Sequence, residues 1–137
     1  MLLSCKRGIC LESLSISFII PALNEAENIG NTIKSIQYFM IKTGLDYEII
    51  VIDNGSQDAT VEIVKNLGVQ VSVHVGGTIG HLRNIGADKA KGKVLIFLDA
   101  DVVLTEHWGH QIHFVNDMLC NREKLFDWFA LCTTRKQ

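Results

Sequence analysis

Val94-Leu95-Ile96-Phe97-Leu98-Asp99-Ala100-Asp101 runs a short apolar stretch straight into two carboxylates. A run of that length, preceded by Gly92 and rich in branched and aromatic side chains, reads as a strand buried on both faces rather than as a helix. Working back toward the amino terminus, the same reading recurs. Leu14 to Ile20 is β-branched and stops at Pro21, which has no N–H to give. Tyr47 to Asp53 is a second strand that ends in the turn signal Asn54-Gly55, and Val69 to Val75 a third, broken at Gly76-Gly77.

Between these strands the apolar period changes. Ile29, Ile33, Ile36 and Met40 recur at helical spacing, with Asn24 and Glu27 placed as a capping-box variant before them. Val61, Val64 and Leu67 mark a second helix, and Ile79, Leu82 and Ile85 a third that runs toward Gly92. Doubly buried strands alternating with helices predict an α/β fold: a mainly parallel sheet covered on both faces. Past Asp101, Thr105 is placed to cap a last helix with Trp108, Ile112, Val115 and Leu119 on its apolar face.

The bulk properties suit one folded domain. The chain has 137 residues, 47% hydrophobic and 20% charged, with a single proline. A net charge of −2 with mixed signs offers no basic stripe for a phosphate backbone, so nucleic acid is not expected as a partner. Cys5, Cys10, Cys120 and Cys132 lack the close pairs of a zinc site and read as reduced thiols. Residues 1–13 are interrupted by Lys6, Arg7 and Glu12, unlike a signal peptide, and read as an N-terminal extension. A cytoplasmic location is expected, open to peripheral contact with the inner face of a membrane.

Ligands of such sheets bind beyond the carboxyl ends of the strands, where Asn24, Glu25, Asp53, Asp99 and Asp101 gather in this sequence. Two carboxylates one residue apart suit a hard cation, Mn²⁺ or Mg²⁺, whose shell a pyrophosphate would complete. The alternative reading of Asp99-Ala100-Asp101 is a solvated acidic turn. His107, His110 and His113 recur every third residue and could share a metal, but solvated histidines are the commoner outcome. Gly76-Gly77-Thr78-Ile79-Gly80 hints at a phosphate cradle, yet it lacks a P-loop lysine and reads better as a turn.

Three stretches occur in the order and spacing found in family 2 glycosyltransferases: Phe18 to Ile29, Val51 to Thr60, and Gly80 to Asp101. Over roughly residues 15–105 the chain resembles the donor-binding half of that family. The resemblance implies a Rossmann-like GT-A nucleotide-diphospho-sugar transferase fold, truncated here, with a nucleotide-sugar-binding domain over 14–120 and an unassigned tail over 121–137. It implies transfer of a hexosyl group from a UDP- or GDP-sugar to an unknown acceptor, in cell-envelope or polysaccharide synthesis.

Position by position, Pro21, Ala22, Asn24 and Glu25 match the turn that cups the nucleoside, Ala22 through its backbone. Asp53 matches the residue that reads the base edge. Asp99 with Ala100 and Asp101 matches the Asp-x-Asp segment, Asp99 toward the ribose and metal and Asp101 as metal ligand. Arg83 matches an arginine near the nucleotide, where a planar cation suits phosphate, the alternative being a surface pair with Asp88.

Two departures stand out. Asn54 replaces a frequent aspartate, removing a charge while keeping turn-forming capacity. After Asp101 nothing resembles the acceptor-side segment that supplies the general base, so Glu106, Glu123 and Asp127 receive no catalytic role. The tail Leu125 to Leu131 is apolar enough to meet a partner chain, a sheet face or a membrane. A non-catalytic nucleotide-sugar-binding module is therefore the second reading. A phosphoacceptor signalling domain fits less well, lacking an acidic pair after its first strand, and a dinucleotide-binding oxidoreductase lacks the glycine fingerprint.

Overall fold

The computed structural model describes residues 15–108 and 110–112. The four cysteines, His113, Val115, Leu119, the extension 1–13 and the tail 121–137 lie outside the described residues. Seven elements follow in the order β1 (Ser15–Ala22), α1 (Ile29–Thr43), β2 (Asp46–Asp53), α2 (Thr60–Asn66), β3 (Gln70–Val73), α3 (Ile79–Lys89) and β4 (Val94–Phe97). The strands form one sheet in the order β3-β2-β1-β4, and every pairing is parallel.

The period-2 geometry of a strand divides the apolar residues between two layers. Ile16, Phe18, Ile20 and Ala22 of β1 pack with Ile29, Ile33, Ile36 and Met40 of α1 and Val64 of α2. Ile50 and Ile52 of β2 turn to the other face, onto Leu82 of α3. There α3 comes so close to β1 that a Cβ on Gly86 would run into the Ile19 side chain. Helices thus cover both faces of the central strands; β4 departs from the expected double burial, with Leu95 and Phe97 39% and 37% exposed.

Pro21 does not end β1. It is paired with Ile52, within the strand. Leu98 N donates to Ile19 O on the β4 side, and Pro21, two residues on, faces the same way, past the last β1–β4 pair of Ile19 with Phe97. Its missing N–H therefore removes no ladder bond, which is the condition for proline inside a sheet.

The capping box does not form either. Asn24 adopts the left-handed region (φ 51°), and α1 starts five residues later, at Ile29 behind Asn28, with no side-chain cap bond. Glu25 O instead accepts from Asn28 N and Ile29 N, at 3.0 and 2.9 Å, closing a turn that leads into the helix. Glu27 is exposed. β3 is also shorter than the apolar run suggests, because Val75 lies beyond the sheet and is 82% exposed.

Residues 106–108 and 110–112 are helical, as the spacing predicts, with Trp108 tilted against Phe18 at 5.6 Å between ring centroids. No helix among the described residues is long and apolar enough to cross a membrane.

Candidate functional site

The strand order places a topological switch at β1: the chain moves from β1 to β2 on one side and returns to β4 on the other. The crevice between the loops after β1 and β4 is where an open parallel sheet accepts a ligand. Pro21, Ala22, Asn24 and Glu25 form one wall of it, and Asp99, Ala100 and Asp101 the other.

The loop after β1 is tied to the loop after β2 by four hydrogen bonds. Asn24 N donates to Ser56 Oγ (2.8 Å), Gln57 N to Asn24 Oδ1 (2.9 Å), Glu25 N to Thr60 Oγ1 (2.9 Å) and Ala26 N to Asp58 Oδ2 (3.1 Å). Asp58 also accepts from Thr60 N at 3.0 Å at the start of α2. The Thr60 hydroxyl holds the Asp58 carboxyl below its usual range, against a smaller opposing effect of burial, and the Thr60 and Ala26 amides add to the lowering. The polar residues of two separate motifs thus build one wall.

Asp53 lies at the centre of that wall and is fully buried. Its Oδ2 accepts from Gly55 N (2.9 Å) and Ser56 N (2.8 Å), and its Oδ1 from the Ser56 hydroxyl. The carboxylate is turned into its own loop, in the Asx-turn manner that favours aspartate at such corners. The Ala22 carbonyl accepts Asn54 N at 2.8 Å, because the β1–β2 ladder continues one residue past β2. Asn54 Oδ1 in turn accepts Gly76 N at 2.8 Å, joining the loop after β3 to the same edge. Gly76 and Gly77 both have positive φ, 90° and 96°, so the glycine pair is a turn.

On the opposite wall, Thr32 of α1 donates its hydroxyl to Ala100 O across a buried contact of 2.7 Å. The fixed carbonyl anchors the turn that carries Asp99 and Asp101, and Val102 N closes it onto Asp99 O at 3.2 Å. Both flanking aspartates are exposed while Ala100 is buried. Arg83 of α3 reaches across to Asp99, Nη2 to Oδ1 at 2.9 Å, and not to Asp88. The alternative surface pair is thereby replaced by one inside the candidate site.

No group of three or more His, Cys, Asp or Glu side chains converges among the described residues. The donor set on offer is two carboxylates on one turn, which fits a hard cation sharing its shell with phosphate and water and not a closed protein cage. His107 and His110 are both exposed, and the third histidine of that series is outside the described residues.

Thr32 was missed in the sequence because it sits inside the apolar stripe of α1, between Ile29 and Ile33. A hydroxyl in that stripe was the available signal.

The comparisons agree with this geometry. Residues 17–114 match the glycosyl transferase family 2 profile. The chain belongs to that family. The glycosyltransferase AglE of Haloferax volcanii is 38% identical over 103 residues, covering 68% of this chain and 32% of AglE. The 4,4'-diaponeurosporenoate glycosyltransferase of Staphylococcus haemolyticus is 34% identical, over 68% of this chain and 26% of its own. This family 2 chain therefore spans about a third of the length of the curated relatives it matches.

Among solved structures, S. aureus TarS 1-349 in complex with UDP-GlcNAc superposes with a TM-score of 0.63 at 23% identity, covering 76% of this chain and 32% of that one. The glucosyl-3-phosphoglycerate synthase of Mycobacterium tuberculosis, in complex with Mn²⁺, UDP and glucosyl-3-phosphoglycerate, gives 0.54 at 30% identity, over 66% of this chain and 34% of that one. The fold is the GT-A nucleotide-sugar transferase type.

Proposed function

We propose that this chain forms the donor side of a glycosyl transfer site, holding a UDP-sugar, or a GDP-sugar, together with Mn²⁺ or Mg²⁺ along the carboxyl edge of the sheet. The observation that carries the reading is the pair of walls at the β1 switch point, one a hydrogen-bonded double loop and the other the anchored Asp99–Asp101 turn. Support for a uridine nucleotide and a divalent ion comes from the solved glucosyl-3-phosphoglycerate synthase complexes that hold UDP and Mn²⁺.

In this reading Pro21 to Glu25 and Asn54 to Ser56 bound the nucleoside, with Asp53 acting through the loop it organises. Asp99 and Asp101 hold the cation, and Arg83 faces the phosphates. A divalent ion bound there supplies Lewis-acid neutralisation of the charge that grows on the departing diphosphate. Ala100, locked by Thr32, keeps the two carboxylates at a fixed spacing, so little reorganisation remains at the moment of transfer.

The acceptor-side base is not assigned to any residue. A nucleotide-sugar-binding module without turnover is accordingly the second reading.

Titration calorimetry with UDP and GDP, each with and without Mn²⁺, tests the donor site, with Asp101→Ala as the comparison. Metal-dependent binding that the variant loses is the expected result, and absence of binding in every condition would refute the proposal. A donor-hydrolysis assay on the same samples separates the enzyme from the binding module.

A further inference from the structure

The turn and loop segments along the carboxyl edge are rich in acid and poor in base. Glu25, Asp53, Asp58, Asp99 and Asp101 all belong to them, whereas residues 22–28, 53–59, 74–78 and 99–105 contain no lysine or arginine. Arg83, on the neighbouring helix α3, is the one permanent cation that the described contacts place in the site, and a single oxygen of Asp99 holds it. The contact is monodentate, and both side chains are well exposed, 38% for Arg83 and 59% for Asp99. The guanidinium has five N–H donors. Its Nε is buried and makes no hydrogen bond among the described residues.

These features describe a cation with donor capacity to spare, parked on a carboxylate that has another use. We propose that Arg83 is an exchangeable counter-charge: it holds Asp99 in the ligand-free chain, is displaced from that oxygen by the divalent cation, and then turns its free donors to the diphosphate. The inference rests on the donor-site reading above.

Its consequence is a coupling between the two ligands. A cation that takes Asp99 must break the ion pair, and so must a diphosphate that takes Arg83. When both bind, the pair is broken once for two ligands, so each binds better in the presence of the other. An exposed pair of this kind is worth a factor of about two to five in affinity. Arg83 is on this view a competitor of the cation for Asp99 and a direct ligand of the diphosphate.

The test measures Mn²⁺ alone, UDP and GDP without metal, and each nucleotide with Mn²⁺, on the full chain and on Arg83→Gln, Arg83→Lys and Asp99→Asn, with circular dichroism to verify folding. Arg83→Gln should bind Mn²⁺ alone about two to five times more tightly and the metal-free nucleotide more weakly. Arg83→Lys, which keeps the charge and loses the fork, should leave Mn²⁺ affinity near that of the parent while weakening nucleotide binding, and it guards against misfolding of the glutamine variant. Asp99→Asn should bind the metal-free nucleotide more tightly, because its arginine is already released.

If the parent chain binds nucleotide with Mn²⁺, yet Arg83→Gln leaves Mn²⁺ affinity unchanged or lower and Asp99→Asn leaves metal-free nucleotide affinity unchanged, the exchange is overturned and the donor site stands. If the parent binds neither metal nor nucleotide, the donor-site reading falls first and the exchange falls with it.

Discussion

Replacing Thr32 by valine removes one hydroxyl and keeps the branched shape. Thr32 is fully buried, and its hydroxyl donates to the carbonyl of Ala100, which is itself buried. The variant removes that donor from a buried carbonyl, a loss of about 1–3 kcal/mol. Threonine and valine have similar helix propensities, so α1 itself contributes little to the difference.

For a domain of this size that cost lowers the melting temperature by about 3–10 °C, read by circular dichroism at pH 7. Because Ala100 sits between Asp99 and Asp101, loss of the anchor should also weaken Mn²⁺-dependent nucleotide binding about fivefold or more, equivalent to about 1 kcal/mol of positioning. Thr32→Ser keeps the donor and deletes a methyl group. It should lose about 1 kcal/mol from the small cavity while retaining nucleotide affinity. The reasoning is refuted if the valine and serine variants bind nucleotide equally well.

Further outcomes follow from individual contacts. Asp53→Asn should lower stability by about 2–3 kcal/mol in urea unfolding, since an amide cannot accept all three of the loop bonds that the buried carboxylate takes; an unchanged midpoint would show that Asp53 does not hold the loop. Asn24→Ala should cost about 1–2 kcal/mol, combining the lost bond from Gln57 N with the strain of φ 51° on alanine, whereas Asn24→Gly should lose less. Gly86→Val should destabilise by about 1–3 kcal/mol or more, because its side chain has no room against Ile19, and a stable variant would mean that α3 can shift outward. Glu48 gives a pH dependence: burial raises its carboxyl, but the Ser17 hydroxyl, the Lys91 and Gly92 amides and the Lys91 charge outweigh it and leave the group below its ordinary 4.5. A depressed carboxyl contributes stability that is complete above 4.5 and lost as pH falls through the folded value, so acid unfolding below pH 4.5 should flatten in Glu48→Gln.

The elements of the fold were legible for a direct reason. β1 and most of β2 are buried on both faces, so their apolar runs are unbroken, and α1 shows a clean helical stripe; the equally unbroken run of β4 leaves Leu95 and Phe97 exposed. Errors fell where a long-range partner replaced a local one. The Asn24–Glu27 pair has the spacing of a cap, but Asn24 is used 33 residues away by Gln57 N. Pro21 has the chemistry of a strand breaker, but its free side faces the end of β4.

The candidate site divides in the same way. Sequence by itself determined the residue types: carboxylates, asparagines and glycines must lie at strand ends, because those positions are turns at the edge of a buried sheet, and the three motifs keep their order and spacing. The packing of the elements fixes which of those groups line the crevice and which bind one another. Asp53 and Ala22 turn inward to hold the loops, Thr32 reaches Ala100 from 68 residues away, and Arg83 chooses Asp99 over its near neighbour Asp88. A hydrogen bond depends on distance in space, and only the packing of α1 and α3 on opposite faces of the sheet sets those distances.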